Sequence, residues 1–283
     1  MNKITKIAVI QAGSFIYDTP RTLEKLESLT EKAAKGGAQL ALFPETFIGG
    51  YPKGVDFGVK MGLQSADGRE EFKRYFDSAI DYNSKAAEKI AEIAHKNEIY
   101  IVVGHRKLMP TLFERVLWAR GDGATLKVLD TSIGKIGAVI CWENYMPMLR
   151  TWMYNKGVQI YLAPTVDDRE VWLSTMRTIA LEGRCFVISA CQYLTSEAFP
   201  PDHVARKEKE EILISGGSCA INPLGEVILE PQYNGEKVAI VECDLSEIIG
   251  AKFDLDAVGH YARPDIFQLV VNEEKQTLVS TKK

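Results

Sequence analysis

The residue with the clearest potential for covalent chemistry is Cys141. It follows an apolar, β-branched run, 136–140, and polar residues come directly after it. A group at the end of a buried strand is fixed by the sheet and exposed by the loop, which suits a nucleophile. A cysteine in such a run is more often only a small buried apolar residue. Cys141 is a candidate nucleophile only if a nearby group activates its thiol.

Histidine and carboxylate are the two kinds of base that could activate this thiol. None of the four histidines follows a predicted strand at an obvious catalytic edge, so a Cys–His pair is weakly indicated: His95, His105, His203 and His260. Glu45 ends a short apolar run and is the better candidate base. Lys107 lies in a basic triplet and could supply positive charge. Taken singly, Glu45 and Lys107 are also typical of solvated surface.

Composition limits the classes of function. The chain has 283 residues, 46% of them apolar, and a net charge of −4, which argues against nucleic acid or an anionic membrane as main partner. We expect no membrane-spanning segment and no signal peptide. The five cysteines lack regular spacing, which predicts reduced thiols in the cytoplasm, and no Cys/His cluster has zinc spacing.

Apolar patterning predicts alternating strands and helices, and therefore an α/β fold. The strands are predicted at 6–11, 39–43, 100–103, 135–140, 158–163 and 185–190. Helices are predicted from an N-cap at Thr19 to Gly36, and at 84–97, 145–156 and 169–182. A polar loop at 194–211 precedes short strands at 218–221, 227–229 and 238–241. We expect one domain over 1–283, with 260–283 as a C-terminal arm.

Three stretches, in this order, resemble the signature motifs of the nitrilase superfamily, most closely its nitrilase branch. They are Phe43-Pro44-Glu45, the stretch 105–111 around Lys107, and Cys141-Trp142-Glu143-Asn144. Five further stretches are similar to nitrilase sequence in the same order: 49–54, 121–123, 163–167, 182–184 and 258–265. The resemblance therefore covers nearly the whole chain.

This resemblance implies a four-layer αββα sandwich and a Glu-Lys-Cys triad. Cys141 would attack a nitrile, Glu45 would be the general base, and Lys107 would stabilise the intermediates and help hold the thiolate. The backbone N–H of Trp142 would be a second donor. The substrate would be a small organic nitrile, released as carboxylic acid and ammonia, with no metal or organic cofactor.

The family also implies a second glutamate, which this chain places at Glu114. Its implied role is to orient Lys107 and water or to shuttle protons; the alternative is a surface pair with Arg115. Glu143 is assigned a structural role. The candidate substrate-binding residues are Tyr51, Trp142 and Trp172, although core packing is favoured for Trp172. His260 is assigned a structural or subunit-contact role.

The chain departs from the family before Lys107. Family members carry an extra stretch there, forming two strands and a turn, whereas here Val103-Gly104 leads straight into the lysine motif. If this chain truly lacks the stretch, we expect an exposed sheet edge and an altered path to Lys107. The loop 194–211 is also short for the branch, in a region expected to shape subunit contacts.

Other functions stay open at this stage. An amidase or a cyanide-converting relative is the alternative enzyme, and a non-catalytic family member is the alternative outside enzymes. The resemblance implies dimers or longer spirals, with the apolar stretch 266–271 as local support.

Overall fold

The computed structural model describes residues 4–63, 65–104, 106–207, 209–277 and 279. His105 of the lysine motif and parts of the predicted arm lie outside them. One sheet has four strands in the order β11-β1-β2-β3, and the other has the order β10-β9-β7-β6-β5-β4 with β8 paired to β9. The strands are β1 Ile4–Gln11, β2 Leu40–Leu42, β3 Tyr100–Val102, β4 Val128–Thr131, β5 Gly134–Ala138, β6 Ile160–Leu162, β7 Phe186–Ser189, β8 Tyr193–Thr195, β9 Ile212–Ile221, β10 Val227–Tyr233 and β11 Lys237–Asp244.

Seven α-helices lie in the described residues, and four of them cover the outer faces of the two sheets. The seven are α1 Thr19–Lys35, α2 Ala66–Asp77, α3 Lys85–Lys96, α4 Glu114–Leu117, α5 Pro147–Asn155, α6 Val171–Gly183 and α7 Glu247–Asp254. Short 3₁₀ turns occupy Gly123–Thr125, Cys141–Tyr145 and Ser196–Ala198.

Three buried apolar clusters define the layers. One lies between the sheets and joins side chains such as Ile7 and Leu42 to Ile160 and Phe186. A second lies between the four-stranded sheet and α1 and α3, and a third lies between the larger sheet and α5 and α6. The order of layers is therefore helix, sheet, sheet, helix, which confirms the predicted αββα sandwich.

The predicted elements are present with shifted ends. The N-cap of α1 is Asp18 and not Thr19, because the Asp18 carboxylate accepts the backbone N–H of Arg21. The helix predicted from residue 145 begins at Pro147, since the residues before it form a 3₁₀ turn. The patterns did not predict α2, β4, β8 or α7, and the predicted polar loop from residue 194 includes the end of β8.

The strand β3 lies at the edge of its sheet. In the part of the chain that the structure describes, β2 is its only neighbour, and Tyr100 is 43% exposed. This is the edge that the missing family stretch led us to expect.

The C-terminal segment lies along α5. Glu273 accepts hydrogen bonds from Trp152 Nε1 at 2.8 Å and from Lys156 Nζ at 2.7 Å, and the backbone N–H of Gln276 donates to Asp122. No helix among the described residues is both long and apolar enough to cross a membrane.

Candidate active site

Glu45, Lys107 and Cys141 come together where three strand-end segments meet. Glu45 follows β2, Lys107 follows β3 and Cys141 follows β5. Lys107 Nζ lies 2.9 Å from Glu45 Oε1, and all three residues are at most 5% exposed. Residues distant in sequence thus form one buried cluster.

The backbone at the cluster is held in an unusual conformation. Cys141 has φ +50°, and Thr46, directly after Glu45, has φ +52°. Left-handed backbone is unfavourable for residues with a Cβ and is found where the surrounding structure enforces it, often at functional sites. The Cys141 N–H donates to the Pro164 carbonyl at 2.9 Å, which helps to fix the turn.

Glu143 ties the cysteine turn to the lysine segment. Its carboxylate accepts the backbone N–H of Ile140 at 2.6 Å and that of Leu108 at 2.5 Å. The Asn144 side chain donates to the Cys141 carbonyl at 2.7 Å. These bonds hold the strand end beside Lys107, so the structure places Glu143 in a supporting position.

Glu114 belongs to the buried cluster. Glu114 Oε2 lies 2.8 Å from Lys107 Nζ and accepts the Thr111 N–H, while Oε1 accepts the Tyr51 hydroxyl at 3.0 Å. The alternative of a surface pair with Arg115 is wrong, because Glu114 is 7% exposed and Arg115 donates to the Pro110 carbonyl instead. Lys107 is thus flanked by two carboxylates.

Burial and charge decide the protonation states. Burial raises the pKa of Glu45 above that of an ordinary glutamate, although Lys107 opposes the shift. Burial alone would lower the pKa of Lys107, but the charges of Glu45, Cys141 and Glu114 outweigh it and raise that pKa, so Lys107 stays protonated. Burial, and then the charge of Glu45, raise the pKa of Cys141 well above its usual value, more than Lys107 and bonds to Thr165 and Val166 lower it.

Burial and the charge of Glu45 therefore favour the neutral thiol of Cys141, whereas Lys107 acts in the expected direction and favours the thiolate. A neutral thiol beside a carboxylate loses its proton as it attacks, because the carboxylate accepts that proton in the same step.

A cavity of about 450 Å³, which we call the front cavity, opens at the thiol. Cys141, Glu114 and two of the predicted pocket residues, Tyr51 and Trp142, line it. Most of the other wall residues are apolar, including Pro52, Val55, Leu112, Phe113, Leu117, Trp118 and Val166. The cavity suits a small, mainly apolar molecule held against a thiol.

Trp172 is not a pocket residue. It is 2% exposed in the core under α6, and its indole N–H donates to Ser189 Oγ at 2.9 Å. Trp172 lies on the inner face of α6 and points toward the sheet. The prediction that it binds substrate is therefore wrong. His260, by contrast, is exposed and packs edge-on against Tyr261.

Three further residues at the site did not follow from the sequence. The Trp142 indole donates to Asp167 at 2.8 Å, and Gln192 donates to the Glu45 backbone carbonyl at 2.7 Å. Trp118 lies edge-on to Tyr51 with ring centroids 6.0 Å apart. Asp167 and Gln192 could have been proposed from the sequence, since each follows a predicted strand, whereas Trp118 has no such signal.

The arrangement combines a thiol, a carboxylate and a buried ammonium, groups that are chemically able to add a thiol to a polarised carbon–nitrogen bond and then to activate water. We found no cluster of three or more His, Cys, Asp or Glu side chains suited to a metal ion in the described ranges.

The family model for carbon-nitrogen hydrolases matches residues 6–107 and 104–253. The two matches overlap at residues 104–107, where the sequence led us to expect that a family stretch is missing. The chain is 47% identical to a nitrilase of Bradyrhizobium diazoefficiens over 303 aligned positions, covering 98% of this chain and 94% of that protein. With an aliphatic nitrilase of Sinorhizobium fredii it shares 46% identity, covering 98% of both chains.

The alignments contain 303 positions although this chain has 283 residues, so these relatives hold residues where this chain has none. Among solved structures, the C. elegans NitFhit protein has the same fold, with a TM-score of 0.71 at 20% identity over 98% of this chain and 69% of that one. Because the family model spans most of the chain and the identities to these nitrilases are this high, the chain belongs to the carbon-nitrogen hydrolase family, in the nitrilase branch of the nitrilase superfamily.

Proposed function

We propose that this protein is a nitrilase that hydrolyses a small organic nitrile to the carboxylic acid and ammonia, with Cys141 as nucleophile. The observation that carries the proposal is the buried cluster in which Lys107 Nζ lies 2.9 Å from Glu45 and 2.8 Å from Glu114, beside the thiol. The names of the similar proteins agree with this activity.

In the first step the Cys141 sulfur bonds to the nitrile carbon, while Glu45 accepts the thiol proton and passes it to the nitrile nitrogen, which returns Glu45 to the carboxylate form. A sulfur nucleophile suits this reaction because a nitrile carbon is a weak electrophile. The product is a thioimidate bound to Cys141. The fixed ammonium of Lys107 stabilises the negative charge that develops on the nitrile nitrogen, and the backbone N–H of Trp142 is a second donor.

In the second half, Glu45 takes a proton from water, which attacks the thioimidate carbon. Glu45 passes this proton to the nitrogen, which takes a second proton from the new hydroxyl group, so that the tetrahedral intermediate expels ammonia and leaves a thioester. A second water, activated in the same way, releases the carboxylic acid and returns the proton to Cys141. Glu114 holds Lys107 in place, and the Tyr51 hydroxyl fixes the second Glu114 oxygen.

The lining of the front cavity indicates that the nitrile substrate carries an apolar substituent. The cavity wall is mainly aromatic and aliphatic. Among its charged residues, Asp167 pairs with Arg169 and Glu114 pairs with Lys107, while Lys53 and Asp168 also border the cavity. A volume of about 450 Å³ accommodates a small organic group and exceeds what free cyanide would need.

The cellular setting follows as part of the same proposal. All five cysteines are free and buried, which suits a reducing cytoplasm.

We take residues 1–283 as one catalytic domain with the arm at 260–283. Ile266, Phe267 and Val270 of the arm are exposed apolar residues, which favours a homo-oligomer. Light scattering in solution gives the oligomer size.

The test of the function is ammonia release from aliphatic, aromatic and arylacetonitrile substrates, beside the matching amides and cyanide. We expect turnover of nitriles with the carboxylic acid as main product. Turnover of amides alone would make the protein an amidase, and turnover of cyanide alone a cyanide-converting relative. No turnover of any substrate would favour the non-catalytic alternative.

We expect the acid limb of the pH–rate profile to lie above the value of roughly 4.3 that an exposed glutamate would give. The active form needs Glu45 as carboxylate, and burial raises the pKa of Glu45, so activity is lost as pH falls through this raised value. The pKa of Cys141 and that of Lys107 are raised too, so the plateau extends to alkaline pH. Initial rates on one nitrile across pH, with thermal unfolding at each pH as control, test this. An acid midpoint at or below 4.3 would contradict it.

A further inference from the structure

The catalytic cluster borders two cavities. The thiol of Cys141 and the carboxylate of Glu114 line the front cavity, whereas Glu45 and Lys107 line a separate cavity of about 180 Å³, which we call the rear cavity. Trp118 contributes to both walls. Among the described residues, the proposed nucleophile therefore faces one opening and the proposed base faces another.

The reaction needs two waters in each turnover and produces one ammonia. From the first bond formation until the acid leaves, the substrate is attached to Cys141 and its organic group fills the front cavity. Water that attacks the bound carbon must be deprotonated by Glu45. A route from the front would pass the bound substrate, whereas a route from the rear reaches Glu45 directly.

Glu45 has a free oxygen for such a water. Its Oε1 accepts from Lys107, while Oε2 is buried without a hydrogen-bond partner among the described residues. A buried carboxylate oxygen without a partner carries a large desolvation cost, which a bound water removes. The side-chain hydrogen bond between Glu45 and the Cys141 thiol is lost once Cys141 carries the substrate, and a water from the rear cavity would then take its place.

The rear cavity is large and polar enough to hold water. One water occupies roughly 30 Å³ in the liquid, so about 180 Å³ accommodates several. The side chains of Glu45, Thr46, Arg106 and Lys107 border it and supply hydrogen-bonding groups. Arg106 and Ala119 are exposed to solvent, so the rear cavity reaches the surface.

The position of the rear cavity coincides with the main departure of this chain from its family. Arg106 and Lys107 lie in the residues 104–107 where the two family matches overlap, and the aligned length exceeds the length of this chain. The opening therefore lies where the sequence led us to expect that this chain lacks a stretch of its family.

We infer that the rear cavity is a solvent port, through which water reaches Glu45 and ammonia leaves while the substrate occupies the front cavity. This inference rests on the proposed nitrilase function. It assigns hydration of the thioimidate and of the thioester to one side of the site and binding of the nitrile to the other.

Narrowing the port with Ala119→Trp tests the inference, with Ala257→Trp on an exposed loop as the matched control. We expect Ala119→Trp to lower kcat on a nitrile about fivefold or more and to lower KM with it, because slower hydrolysis of the covalent intermediate affects both. Intact-protein mass spectrometry at steady state should show a larger fraction of enzyme with acyl or imidate on Cys141. Ala257→Trp should match the wild type in both measurements.

Unchanged kcat and unchanged adduct in Ala119→Trp would overturn the inference. A lower kcat with higher KM and no adduct would also overturn it, since it would indicate damage to nitrile binding. If Ala119→Trp does not fold, Ala119→Leu is measured with the same criteria. The proposed function fails in a different way, through absence of nitrile turnover in the wild type itself.

Discussion

Cys141→Ala is expected to abolish nitrile hydrolysis, with a loss in kcat of at least about 10⁴-fold. Without the sulfur no thioimidate forms, and the remaining Glu45 and Lys107 have no covalent intermediate to hydrolyse. Alanine is smaller than cysteine and takes the same backbone conformation, so the fold should persist. Ammonia release under saturating nitrile measures the loss, and thermal unfolding checks the fold.

Cys243→Ala is the matched control, because Cys243 is also a free, fully buried cysteine but packs between the sheets, away from the front cavity. It should retain wild-type kcat. Mass spectrometry with a slowly hydrolysed nitrile should show an adduct on the wild type and on Cys243→Ala but none on Cys141→Ala. Nitrile turnover by Cys141→Ala within about tenfold of the wild type would refute its role as nucleophile.

Glu45→Gln is expected to lower kcat/KM by about 10²–10⁴-fold, the usual contribution of a general base. Glutamine keeps the size of the side chain and can still accept a hydrogen bond from Lys107, but it cannot take the thiol proton. Initial rates at a pH on the wild-type plateau measure the effect. Glu242→Gln, which removes an exposed carboxylate paired with Lys6, is the control and should be close to wild type.

The same substitution should leave the melting temperature equal to or above that of the wild type near neutral pH. Burial raises the pKa of Glu45 in the folded state, so folding favours its neutral form. This favourable contribution is present below the unfolded pKa and is lost as pH rises through the folded value. Glutamine stays neutral, and Lys107 keeps Glu114 as partner, so the advantage of Glu45→Gln should shrink on acidification.

Thermal unfolding from acidic to neutral pH tests this sign. A lower melting temperature for Glu45→Gln at neutral pH would mean that the ion pair with Lys107 stabilises the fold more than burial of the Glu45 charge costs. Loss of activity with retained stability is the pattern expected of a residue kept for chemistry.

Much of the fold was predictable because its signals are local. Apolar residues at helical spacing identified the buried faces of α1 and α6, and short apolar runs identified β1, β2 and β6. The elements that escaped prediction are those without such a signal. The helix α2 buries no side chain fully, and β4 is a partly exposed edge strand.

The candidate residues of the site were predictable as residue types in ordered motifs, but their environment was not. Periodicity determines which face of an element is apolar, yet it does not determine what that face meets. Trp172 shows the difference, because it lies on the predicted helix face but packs against the sheet and not in the front cavity. Glu114 shows the opposite case. The sequence around it is also compatible with a surface turn, but in the structure Glu114 forms a buried ion pair with Lys107.

The sequence by itself therefore determined the chemical groups, their order and the α/β elements that carry them, because these depend on neighbouring residues. The tertiary structure alone decided that Lys107 meets Glu45 across 62 residues and that Gln192 meets Glu45 across 147. It also decided that burial raises the pKa of Cys141 and that Glu45 borders a second cavity. Burial, and the cavities that burial leaves, arise from contacts between distant segments, and no local pattern records those contacts.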